Sequence, residues 1–114
     1  MARLSTHVLD TSRGTPAQNL VIDLHTLLDG ERRRIQTVAT NSEGRALFPG
    51  EPLERGVYEL TFHAGDYFRG AGVKLADPPF LDHVVIQFGL ADSARDYHVP
   101  LLLSPYGYST YRGS

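Results

Sequence analysis

The stretch Leu20-Val21-Ile22-Asp23-Leu24-His25-Thr26-Leu27-Leu28 alternates with a period of two. Leu20, Ile22, Leu24, Thr26 and Leu28 fall on one side, and Val21, Asp23, His25 and Leu27 on the other. Successive side chains of an extended backbone point to opposite faces, so the pattern predicts a half-buried β-strand. The same alternation sets Tyr58, Leu60 and Phe62 against Val57, Glu59, Thr61 and His63. It also sets Val84, Ile86, Phe88 and Leu90 against His83, Val85, Gln87 and Gly89. Weaker strand patterns run over 4–10, 34–40, 45–48 and 97–103. Tyr106, Tyr108 and Thr110, alternating with Gly107, Ser109 and Tyr111, predict a last strand at a sheet edge. Turn chemistry separates these segments: Arg13-Gly14-Thr15-Pro16, Leu28-Asp29-Gly30, Asn41-Ser42-Glu43-Gly44, Pro49-Gly50-Glu51-Pro52 and Asp77-Pro78-Pro79. Only 65–74 departs from the pattern; it predicts a short helix with Asp66 near its start, weakened by internal glycines. Many short strands at regular spacing predict an antiparallel all-β sandwich.

Composition bounds the rest. The 114 residues predict a single domain over 1–114, and 41% hydrophobic residues suffice for a core. A net charge of −2 gives no electrostatic footprint for nucleic acid. The cluster Arg32-Arg33-Arg34 reads as an exposed loop or strand start. With no cysteine, disulfides, thiolate nucleophiles and cysteine-ligated zinc are excluded. The opening Met1-Ala2-Arg3-Leu4-Ser5-Thr6-His7 lacks an apolar secretory region, and no apolar run is long enough to span a bilayer. The expectation is a cytoplasmic protein without membrane association.

Five histidines are candidates for chemistry: His7, His25, His63, His83 and His98. None has metal-pair spacing, so no metal site is expected. His25, His63 and His83 fall on polar strand faces, and solvated surface is the simplest account of them. His98 points opposite Val99, Leu101 and Leu103, hence outward from the core. His7 lies in the first strand beside Leu9. Imidazoles near their ordinary pKa of about 6.5 suit the activation of water. Arg45, leading out of the Asn41–Gly44 turn, could bind a planar oxygen- and nitrogen-rich group and neutralise developing negative charge. Ser5, Ser104, Ser109 and Ser114 are candidate nucleophiles, but no Gly-x-Ser-x-Gly elbow accompanies them. The sequence closes on Tyr111-Arg112-Gly113-Ser114, where the Ser114 hydroxyl is expected beside the α-carboxylate, in a segment placed into a site.

Three segments together resemble one family. They are 4–10 with Gly14-Thr15-Pro16-Ala17, then Thr40-Asn41-Ser42-Glu43-Gly44-Arg45, and 97–105 with the closing Tyr-Arg-Gly-Ser. The chain is similar over its whole length to the transthyretin-like proteins, and the closing tetrapeptide resembles their 5-hydroxyisourate hydrolase branch. The resemblance implies a transthyretin-like (prealbumin-like) β-sandwich of two four-stranded sheets with one short helix. It further implies a homotetramer, a dimer of dimers, acting on a small molecule without a cofactor. The implied reaction opens 5-hydroxyisourate to 2-oxo-4-hydroxy-4-carboxy-5-ureidoimidazoline in urate (purine) degradation. His7, Arg45, His98 and Ser114 are the implied catalytic residues, with Tyr111 and Arg112 lining the site. Which imidazole acts as base stays open at this level. A transthyretin-like carrier and an immunoglobulin-like module are the rival readings. The carrier has no use for paired histidines with an arginine, and the chain lacks the Cys…Trp…Cys frame of the second.

Overall fold

The computed structural model describes residues 2–113. Nine strands and one helix follow in the order β1 (Leu4–Asp10), β2 (Thr15–Pro16), β3 (Val21–Leu28), β4 (Glu31–Ala39), β5 (Arg45–Leu47), β6 (Gly56–Phe62), α1 (Ala64–Gly70), β7 (Val84–Leu90), β8 (Tyr97–Ser104) and β9 (Gly107–Thr110). One sheet has the order β4-β3-β6-β7. The other runs β2-β1-β8-β9, with β5 also paired to β1. The expected four-plus-four arrangement becomes five and four because two short strands share one edge of β1. Strand β5 pairs with Ser5, Thr6 and His7, and β2 with Leu9 and Asp10, so the two occupy successive stretches of that edge.

Alternation decides what lies between the sheets. Ile22, Leu24, Leu60 and Phe62 from one sheet meet Leu4, Val8, Leu101 and Leu103 from the other, all buried. Each such side chain contributes about 1.5–3 kcal/mol through burial. Strand β9 forms a sheet edge, as the sequence predicts. Among the described residues, no helix is long and apolar enough to cross a membrane.

Helix α1 is shorter than the sequence pattern suggests. It begins at Ala64 and ends at Gly70, with Asp66 in its first turn and Arg69 in its last, matching the helix dipole at both ends. Gly72, at φ +83°, turns the chain out of the helix. The helix seals the end of β1: Phe68 is buried, and the Tyr67 hydroxyl donates to Asp10 Oδ2 at 2.8 Å. Asp10 is fully buried and also accepts from the Ser12 hydroxyl (2.6 Å) and the Ser12 backbone N–H (3.1 Å). Burial and the Asp10 carboxylate push the Tyr67 phenol up to about 12. Replacing Asp10 with Ala strands these donors, and the expected cost is about 2–4 kcal/mol. An unchanged urea midpoint for Asp10→Ala would show that the three contacts do not hold the helix down.

Two expectations about the outer face of the β4-β3-β6-β7 sheet need correction. His25, predicted to be solvated, is only 8% exposed, and no hydrogen bond to its Nδ1 is present among the described residues. The pairing register shifts between Leu24 and His25, and Arg32 reaches across β3 to Glu59 (2.9 Å) and Thr61 (3.1 Å). A long arginine laid over the strand covers what alternation alone would leave open. His63 is half-buried against Asp23 Oδ2 at 2.8 Å, while His83 is exposed as predicted.

Candidate active site

The outer face of the β1-β8 sheet is built by register. Parallel pairing sets Ser5 opposite His98 and His7 opposite Pro100, and antiparallel pairing sets His7 opposite Arg45 and Ser5 opposite Leu47. Two cross-strand rows result: Leu47, Ser5 and His98 in one, Arg45, His7 and Pro100 in the next. Neighbouring strands stand about 4.8 Å apart, so Arg45 and His98 flank β1 from either side. Ser5, Asn41, Arg45, Leu47, Tyr97 and His98 line an open concavity there. His98 points outward, as its strand pattern requires, with Val99, Leu101 and Leu103 buried beneath.

A turn fixes Arg45 in place. Asn41 Oδ1 accepts the backbone N–H groups of Glu43 (2.9 Å) and Arg45 (3.0 Å). Gly44 has φ +74°, and its carbonyl accepts the Val8 N–H at 2.8 Å. A Cβ at Gly44 would collide with the Val8 carbonyl oxygen, so only glycine brings the turn this close to β1. The Arg45 side chain is half exposed, and its contact to the exposed Glu43 carboxylate is loose, at 3.9 Å. Such a pair is worth little in water and leaves the guanidinium available to a ligand.

The closing segment folds back over β8. Gly113 donates its N–H to the His98 carbonyl at 2.8 Å, and the Arg112 guanidinium lies 4.5 Å from the centre of the Tyr97 ring. The Tyr97 hydroxyl accepts the N–H groups of Ala91 and Asp92, both at 3.1 Å, which anchors that ring. Tyr111 is 60% exposed. Ser114 lies outside the described residues. The structure thus gathers Arg45, His7 and His98 on one face and ties Arg112 to its wall. Sequence reasoning weighed Ser5 only as a nucleophile, yet its Oγ lies 2.8 Å from His98 Nδ1. The available signal was its position two residues before His7, on the same strand face.

Burial, then the positive charge of Arg45, then His7, lower the His98 pKa from its usual 6.5; a hydrogen bond to the Ser5 backbone opposes them. The imidazole is therefore neutral at pH 7 and able to accept a proton. If His98 is the base, kcat/KM stays level near neutrality and falls only as pH drops through a value below 6.5. The sign for stability is the same: the unfolded chain binds the proton more readily, so this contribution is full above pH 6.5 and is lost towards the folded pKa. A pH–rate profile checks it, and an acid limb centred above 6.5 would contradict it.

A larger concavity beside α1 is lined by Arg13, Asn19, His63, Asp66 and Tyr67. It holds none of the predicted catalytic residues, and His63 is already engaged with Asp23.

Comparison with known proteins places the chain as a whole. Residues 4–113 match the model of the HIUase/Transthyretin family. The "5-hydroxyisourate hydrolase 2" of Rhizobium meliloti (strain 1021) is 62% identical, with 98% of this chain and 96% of that protein covered. Among solved structures, Klebsiella pneumoniae 5-hydroxyisourate hydrolase superposes with a TM-score of 0.83 at 38% identity, covering 100% of both chains. An (S)-allantoin synthase gives 0.88 at 41% identity over 99% of this chain, which spans 44% of that longer one. With two sheets, one short helix and near-complete coverage by these relatives, the chain belongs to the HIUase/Transthyretin family.

Proposed function

We propose that the chain is a 5-hydroxyisourate hydrolase, a single domain over residues 1–114 opening the cyclic amide C–N bond of 5-hydroxyisourate. The product is 2-oxo-4-hydroxy-4-carboxy-5-ureidoimidazoline. One observation carries the reading: the His98 imidazole and the loosely paired Arg45 guanidinium share one concave face, with His7 on the strand between theirs. Hydrolases of this substrate that align with nearly the whole chain support it.

Ring opening needs an activated water, a place for the oxyanion, and a proton for the departing nitrogen. His98 takes a proton from water as the new C–O bond forms. Arg45 holds the planar ring and neutralises the tetrahedral oxyanion. The C–N bond then breaks, and the proton held by the histidine pair passes to nitrogen. Water is consumed, and no electron acceptor is required. Tyr111 and Arg112 are assigned to substrate binding. Ser114, next after the Gly113 that bonds to His98, is assigned to orienting the water or the imidazole.

The working assembly is proposed as a cytoplasmic homotetramer, a dimer of dimers. Exposed Leu47 (57%) and Leu102 (37%) border the polar residues on the outer sheet face, a surface suited to cover by a second copy. Sedimentation should then give about four times the 12.6 kDa chain mass. The decisive assay follows the ultraviolet absorbance of freshly generated 5-hydroxyisourate. Decay no faster than the spontaneous reaction would end the hydrolase reading, and saturable binding without turnover would favour a carrier.

A further inference from the structure

On the hydrolase reading, the state of His98 matters more than its presence, because a neutral imidazole has only one lone pair to offer. Ser5 Oγ lies 2.8 Å from His98 Nδ1 and engages that nitrogen. A hydroxyl can accept a hydrogen bond as well as donate one, and accepting from Nδ1–H leaves the lone pair on Nε2. Gly113 closes the other side. A Cβ there would stand 2.5 Å from His98 Cδ2, 3.1 Å from Cγ and 3.2 Å from Cβ. Those contacts reach the root of the side chain as well as its ring, so a rotation about the last bond does not relieve them. The backbone of Gly113 is itself pinned by its N–H bond to the His98 carbonyl.

We propose that Ser5 and Gly113 are positioning residues that hold His98 as the Nδ1–H tautomer, with Nε2 turned to the reacting water. Ser5 sets the proton and Gly113 sets the ring. This assignment makes His98, through Nε2, the base, and leaves Arg45 and His7 to the substrate side. It also gives the Gly of the closing tetrapeptide a physical reason: any side chain would displace the imidazole it presses against.

The test uses the full-length protein and separates the tautomer from turnover. Imidazole ¹⁵N–¹H correlation spectra of the protein without substrate, above pH 7.5, should show His98 with a protonated Nδ1 and an unprotonated Nε2. Ser5→Ala should mix the tautomers and lower kcat about tenfold or more with KM little changed, whereas Ser5→Thr, which keeps the hydroxyl, should restore both. Gly113→Ala should shift the His98 ring signals and lower kcat while the circular dichroism stays that of the folded sandwich. An Nε2–H signature in the parent protein overturns the proposal, as does a Ser5→Ala variant with unaltered tautomer and kcat. The spectra need no substrate, so they stand apart from any failure of the parent protein to turn over 5-hydroxyisourate.

Discussion

His98→Asn lowers kcat/KM for 5-hydroxyisourate by about 10²-fold or more while the sandwich stays folded. The amide keeps polar atoms that can meet Ser5 and nearly the size of the ring, so the sheet face is undisturbed. It has no lone pair basic enough to take a proton from water near neutrality. The lost rate should appear in kcat, with KM changed little, because the proton moves only in the transition state. Stopped-flow absorbance with freshly generated substrate measures both constants. A variant turning over at the parental rate would remove His98 from the chemistry and leave His7 as the candidate base.

Arg45→Gln is the second large loss, about 10²–10³-fold in kcat/KM, through failure to stabilise the oxyanion. Arg45 is half exposed and only loosely paired with Glu43, so its removal costs little stability, and the rate effect is not a folding effect in disguise. Arg45→Lys keeps the charge without the planar fork and falls between parent and Gln. A second readout accompanies the rate. Arg45 is one of the charges holding the His98 pKa down, so its loss moves the acid limb of the pH–rate profile upward, towards 6.5. A Gln variant with both parental rate and parental acid limb would show that the guanidinium faces neither substrate nor imidazole.

Strands carried by long alternation were legible in the residues, because a period of two is imposed by backbone geometry. β1 falls on the predicted 4–10, and β6 and β7 lie within a residue of their patterns. Strand β2 was not legible: two residues, Thr15 and Pro16, are too short for a period and were read as turn. The buried state of His25 was hidden for a different reason. It depends on a register shift and on an arginine from the next strand, neither of which local alternation encodes. At the site, the outward direction of His98 was readable from Val99, Leu101 and Leu103. Ser5 was readable only as a neighbour of His7 on the same strand face; its meeting with His98 is fixed by a parallel register between segments 93 residues apart. Gly113 was legible as a member of the closing tetrapeptide, but only the contact with the imidazole shows what its missing side chain is for.

That same long-range register governs the order in which the molecule can be made. On the ribosome, β1 emerges early and can pair with β5 on one edge, but its other edge waits until β8 has been synthesised. Closing so long a loop is slow for entropic reasons, and an unpaired edge is exposed to foreign strands in the interval. His98 and Ser5 are thus among the last groups to meet, and nascent chains stalled before residue 97 carry an open β1 edge.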